Sequence, residues 1–205
     1  MRTLTFLLTV LSLAAAPVSG EDIFPGDHLG EWTRIAIPPA KQISNIAQWH
    51  SDTKERVIVC DGNGGHEWLR YNHELTNFEF HVQWRFTKLD GTAKYNSGVF
   101  FRNNRDGSIW HQAQAGLAGG YIFGDTPVAG KLQRVNLLAQ MKENRVKPAG
   151  EWNGYVIRCQ GADCTLAVNG EVTSEIHIDV PSGFIGLESE GYRIEFRHLE
   201  LTVLP

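Results

Sequence analysis

Two carboxylates two residues apart, Glu188 and Glu190, are followed by Arg193, Glu195 and Arg197 and give the C-terminal third of this chain its chemical character. A spacing of two places side chains on one face of an extended strand. The run Gly183-Phe-Ile-Gly-Leu-Glu-Ser-Glu190 therefore presents Glu188 and Glu190 together and turns Ile185 and Leu187 toward a core. Arg193, Glu195 and Arg197 share a face in the same way, and so do Trp110, Gln112 and Gln114. Carboxylates held close together raise one another's pKa, which suits proton transfer near neutral pH. Amides, acids and guanidinium groups beside aromatic rings also suit a sugar, with its paired hydroxyls and flat stacking side. We take Glu188 and Glu190 as the acid/base candidates, and Arg102, Gln112, Gln114, Trp152 and Arg197 as groups that bind substrate. The blander alternative makes Arg102 and Arg197 structural partners of Glu79 or Glu195, and leaves Glu188 and Glu190 as a solvated face. No Ser-His-Asp order and no recognised metal-ligand spacing stands out, so a divalent metal stays open, and no organic cofactor is expected.

Strands must carry these groups. Phe78, Phe80, Val82, Trp84 and Phe86 alternate with Glu79, His81, Gln83 and Arg85, the strict period of two of a half-buried strand. If the aromatics point inward, His81, Gln83 and Arg85 become candidates for a concave ligand face. Further strands are expected at Trp49-His50, Val57–Cys60, Asn96–Arg102, Ile109–Gln114, Gly120–Gly124, Glu151–Cys159, Cys164–Val168, Glu171–Ile178, Phe184–Glu188 and Tyr192–Val203. Asn169-Gly170 is a strong hairpin turn. In the last strand Ile194 and Phe196 have one parity and Leu199, Leu201 and Val203 the other, which predicts a β-bulge near Arg197-His198. From Asp125 to Ala149, around Pro127, Gly130 and Pro148, the alternation lapses. A long functional loop is expected there, with a turn of helix around Val135–Gln140. By parity His111 points to the core side.

Many short strands in a chain with 21 glycines, six tryptophans and ten phenylalanines give an all-β two-sheet sandwich or jelly roll. Arg2, the apolar run Leu4–Ala16 and the small residues Val18-Ser-Gly20 read as a signal peptide over residues 1–20, cleaved before Glu21. The remainder, 21–205, fits a single exported domain, periplasmic or secreted, with no membrane anchor after cleavage. A net charge of −4 with scattered Lys and Arg leaves no footprint for nucleic acid, and oligomeric state is not legible. Cys159 and Cys164 flank Gln160-Gly-Ala-Asp163 and can face each other across a hairpin, as a disulfide or as two thiols. Cys60 reads as a small core residue.

Asn96-Ser-Gly-Val-Phe-Phe-Arg102, Gly150-Glu-Trp-Asn153, Val168-Asn-Gly170, Gly183-Phe-Ile-Gly-Leu187 and Ile194-Glu-Phe-Arg197 occur in an order that resembles the 3-keto-disaccharide hydrolase family, from about Trp32 to Leu204. The resemblance implies a concanavalin-like jelly roll, bacterial export, and hydrolase activity on glycosides oxidised to a ketone at sugar carbon 3. A ketone there acidifies the C2 hydrogen and places the glycosidic oxygen β to the carbonyl. A base can then expel the aglycone by elimination, after which water adds back. Family members commonly read Gly-Tyr-Glu-Val-Gln where this chain has Trp110-His-Gln-Ala-Gln114. The acidic position thus falls on Gln112, while Glu188 and Glu190 stand where the family often shows Gln and His. A non-catalytic carbohydrate-binding module of the same fold is therefore the competing expectation.

Overall fold

The computed structural model describes residues 20–91 and 93–205, so the expected leader lies outside the described residues apart from Gly20. The strands in chain order are β1 (Glu21–Asp22), β2 (Trp32–Ala36), β3 (Trp49–Asp52), β4 (Val57–Cys60), β5 (Glu67–Tyr71), β6 (Phe78–Phe86), β7 (Asn96–Asn103) and β8 (Trp110–Gly116). They continue as β9 (Ile122–Val128), β10 (Lys131–Asn136), β11 (Asn153–Gln160), β12 (Asp163–Val168), β13 (Glu171–His177), β14 (Phe184–Ser189) and β15 (Ile194–Val203). Two antiparallel sheets form the expected all-β jelly-roll sandwich. One is eight-stranded, in the order β13-β12-β11-β6-β15-β4-β3 with β1 added beside β15. The other is seven-stranded, in the order β10-β9-β8-β7-β14-β5-β2.

The alternation of β6 explains the packing. Phe78, Phe80, Val82, Trp84 and Phe86 are all buried and meet Val99, Phe101, Ile185 and Leu187 of the opposing sheet in one core cluster. Burial of each large side chain contributes about 1.5–3 kcal/mol, so this double layer of aromatics and aliphatics supplies most of the drive to stack the sheets. Cys159 and Cys164 are directly paired across the β11–β12 hairpin and joined as a disulfide, whereas Cys60 is a free, buried thiol. The bulge expected in the last strand lies between Arg197 and Glu200, with His198 at φ 51°.

The structure corrects three expectations. Residues 125–149 are not all loop, because β9 and β10 pair from Lys131↔Val128 to Asn136↔Phe123 and a 3-10 turn follows at Leu138–Gln140. β10 lies at the sheet edge with nearly every residue exposed, so it needs no alternating apolar face and leaves no hydrophobic period to read. The face assignment also changes. β6, β11 and β15 belong to the eight-stranded sheet, so the outward side chains His81, Gln83, Arg85 and Arg197 lie on the opposite side of the molecule from Gln112 and Glu188. Arg102, finally, is not an outward group. The β7–β14 register slips between Phe184 and Gly186, and Arg102 sits at φ 51° beside that bulge. Its guanidinium is buried and donates to the carbonyls of Thr76 and Val180.

Candidate functional site

The outer face of the seven-stranded sheet is unusual in being covered. Every residue of β14 is buried, so the strand has a lining on both sides. Inward go Ile185 and Leu187, while Phe184 and Glu188 face the other way. Trp68 of β5, Phe100 of β7 and Phe184 of β14 form a second apolar cluster there, with Ile35, Ile37 and Trp110 packed against it. Trp110 meets Phe100 and Phe123 edge-on, at 6.2 and 5.1 Å between ring centroids. Two glycines make this layer possible. A Cβ on Gly186 would stand 2.3 Å from the Trp68 ring, and one on Gly98 would stand 2.2 Å from the Gln112 amide nitrogen.

A cleft of about 280 Å³ opens over this layer. Trp68, Phe100, Trp110, Ile37 and Pro38 supply its apolar walls, and Asp125 and Arg134 stand at its rim. Arg134 pairs with both Asp125 oxygens and lies 5.4 Å over the Trp110 ring, while Trp110 Nε1 donates to Asp125 Oδ2 at 3.2 Å. These contacts hold the Asp125 carboxyl below its usual range, so it stays ionised and is a poor proton source.

His66, Gln112 and Glu188 form the polar wall. Glu188 is 3% exposed; His66 Nε2 hydrogen-bonds its Oε1 at 2.8 Å and Gln112 Nε2 donates to its Oε2 at 2.6 Å. Glu190, half-buried on the same face, accepts from Asn96 Nδ2. Gln114 Nε2 donates to Asn96 Oδ1 and, at 3.1 Å, to Ser97 O. One ligand atom from each of His66, Glu188 and Glu190 lies within 4.8 Å of the others, a mixed nitrogen and oxygen donor set that can hold a divalent cation. Burial pushes the Glu188 carboxyl up, aided by the Glu190 charge and opposed by His66 and Gln112. Burial pulls His66 down, but its bond to Glu188 and the two nearby carboxylate charges outweigh that and raise it.

His66 precedes β5 on a glycine loop that is pinned from below. Gln48, fully buried, accepts from Gly64 N at 2.8 Å and Ser189 Oγ at 2.9 Å, and donates to Gly65 O at 3.0 Å. One amide thus ties the His66 loop to the residue between the two carboxylates. Of the sequence candidates, the fold brings together Glu188, Glu190, Gln112 and Gln114. It separates Trp152 and Arg197, which stack on each other on the eight-stranded sheet with the guanidinium carbon 3.9 Å from the ring centroid. Arg102 is a buried structural group. His111 is buried as parity indicated, and burial lowers its pKa to about 4. Sequence reasoning missed His66, Trp68, Asp125 and Arg134. The signal for the first two was His66-Glu-Trp-Leu-Arg-Tyr71, where His66 and Trp68 alternate with Glu67, Leu69 and Tyr71 after Gly64-Gly65.

A family model for the 3-keto-α-glucoside-1,2-lyase-like domain matches residues 20–202. No curated protein matches the chain in sequence. Among solved structures, a protein from Parabacteroides distasonis ATCC 8503 provisionally described as a glycosyl hydrolase is 15% identical, with a TM-score of 0.63 over 91% of this chain and 94% of its own. The carbohydrate-binding module CBM66 from Bacillus subtilis is 11% identical, with a TM-score of 0.59 over 83% and 94%. The β-glucanase of Bacillus licheniformis is 12% identical, with a TM-score of 0.54 over 89% and 96%. At these identities the likeness is one of fold.

Proposed function

This chain belongs to the 3-keto-α-glucoside-1,2-lyase-like domain family, and from that premise we propose that it cleaves 3-keto-glycosides by elimination and hydration in the cleft beside Glu188. The carrying observation is the convergence of His66, Glu188 and Glu190 at the polar end of an aromatic-walled cleft. The sugar ring stacks on the aromatic wall, where Trp110 is the part-exposed ring, with Gln112 on the polar side. The C2 proton leaves to the His66–Glu188–Glu190 cluster, and its bonding electrons pass into an enolate at C3. As they return, the C1–C2 double bond forms and the C1–O bond to the aglycone breaks, the departing oxygen gaining a proton. Water then adds its oxygen to C1 and a proton to C2, so the net change is hydrolysis.

Incubation of the protein with 3-keto-trehalose or a 3-keto-glucoside tests this. Released 3-keto-glucose is the expected result. Saturable binding without release would make the protein a binding module, the reading that the amide at Gln112 favours. Export belongs to the same proposal and is supported by the start of the sheet: Glu21, the expected first mature residue, already pairs with Leu201. N-terminal sequencing of the protein recovered outside the cytoplasm checks it.

A further inference from the structure

The elimination leaves one need unmet by the side chains described so far. Charge develops on the C3 oxygen and calls for a cation or strong donor, yet Arg102 and Arg197 are both elsewhere in the fold and Arg134, at the rim of the cleft, is already bound to both oxygens of Asp125. Glu188 poses a second problem. It is a buried carboxylate, and its hydrogen-bond partners are an imidazole and an amide; among the described residues no lysine or arginine forms a salt bridge with Glu188 or Glu190. Buried charges in proteins are paired or coordinate metals. One site answers both needs.

We propose that His66, Glu188 and Glu190 bind a single divalent transition-metal ion, of the Mn²⁺, Co²⁺ or Zn²⁺ class. One imidazole nitrogen with two carboxylate oxygens is a donor set for these ions, and it leaves coordination positions open toward the cleft. The atoms need little movement, since one ligand atom from each residue already lies within 4.8 Å of the others. The outer partners are in place too: Gln112 donates to Glu188, Asn96 donates to Glu190, and Gln48 anchors both the His66 loop and Ser189. An ion there would polarise the C3 ketone, and the cluster would take the C2 proton through a hydroxide held on the ion, which becomes water. This catalytic role rests on the reading of the cleft given above, whereas the binding of the ion does not.

Chelator-treated full-length protein titrated with Mn²⁺ and followed by electron paramagnetic resonance provides the test. The wild type is expected to bind one equivalent. His66→Ala and Glu188→Gln should each weaken that site by about 10²-fold or more, and Gln112→Leu by about 10-fold. His177→Ala serves as control: His177 is an exposed imidazole beside Asp163 and Asp179, outside the cleft, and its loss should change nothing. Absence of a stoichiometric Mn²⁺ site, or equal binding by His66→Ala with its fold intact by circular dichroism, overturns the proposal. If Mn²⁺ binds as expected but no 3-keto-glycoside is cleaved, the site stands and the activity falls. If metal-free protein turns over at the full rate, the activity stands and the ion's part in it is refuted.

Discussion

The two outer faces of this sandwich are built from the same alternating pattern and have become different chemical surfaces. On the eight-stranded sheet the outward groups of β6 remain part-exposed and neutralise one another. Glu79 pairs with Arg158 and His81, and Arg85 pairs with Glu195. On the seven-stranded sheet Glu188 and Gln112 are buried beneath aromatics and flanking segments, with His66 exposed at the edge of the cleft, and the hydrogen bonds of Glu188 run to an amide and an imidazole rather than to fixed cations. Water screens a charged pair on the first face, so its members are individually expendable. Exclusion of water on the second raises the electrostatic stakes of each group, which is the condition a reacting centre needs.

The contrast is sharpest in activity. Glu188→Gln or Glu190→Gln should lower kcat on a 3-keto-glucoside by about 10²–10⁴-fold, whereas Arg197→Ala and Trp152→Ala should leave it within about 2-fold, as steady-state kinetics would show. A large effect from the second pair would mean that both faces contribute to turnover. Arg102 marks the boundary between structure and site. Arg102→Met strands the Thr76 and Val180 carbonyls and should cost about 1–3 kcal/mol in urea unfolding. Glycine to alanine compares the faces by volume. Gly98→Ala collides with Gln112 at 2.2 Å and should cost about 1–3 kcal/mol, while Gly154→Ala, whose new Cβ would stand 3.9 Å from Asn169 Oδ1, should be close to neutral.

A smaller effect concerns pH. His111 is buried, within 3.3 Å of Phe101 O through Nδ1, and its pKa falls from 6.5 to about 4 because burial disfavours the imidazolium, with Arg102 adding repulsion. The unfolded chain takes up a proton near 6.5 while the folded chain does not. Stability should therefore fall as pH drops from about 6.5 toward 4, by at most about 1.4 kcal/mol per pH unit. Thermal melts of His111→Leu should show that slope reduced. Smallest of all, Arg85→Ala on the screened face should change stability by about 0.2–1 kcal/mol, and less at high salt.

Much of this was legible in residue order. Strict parity in β6, the parity slip beyond Arg197 and the six-residue span from Cys159 to Cys164 each express a local rule of strand geometry, and each element appears where the rule puts it. Parity also placed Glu188 and Glu190 on one face with Gln112 and Gln114 on a face of their own. It could not say which sheet a strand joins, because period two is the same in both. Trp152 and Arg197 were therefore grouped with the wrong partners. Arg102 was lost to a bulge whose cause lies in the pairing of β7 with β14 rather than in its own neighbours. His66 escaped notice because it stands just before its strand, positioned by the remote amide of Gln48.

The positions of β14 and β15 bear on the order in which the molecule can be made. The last two strands to emerge during synthesis do not flank the sheets: β14 lies between β5 and β7, and β15 between β4 and β6. Until residues 184–203 exist, each sheet is split into two pieces with a missing middle, and His66, Asn96 and Gln112 have no carboxylates to face. The growing chain must wait, with its apolar strands uncovered, for roughly the final tenth of its translation to unite it. A premature stop anywhere before Phe184 should thus yield neither a smaller domain nor a weaker site, but a chain destined for proteolysis.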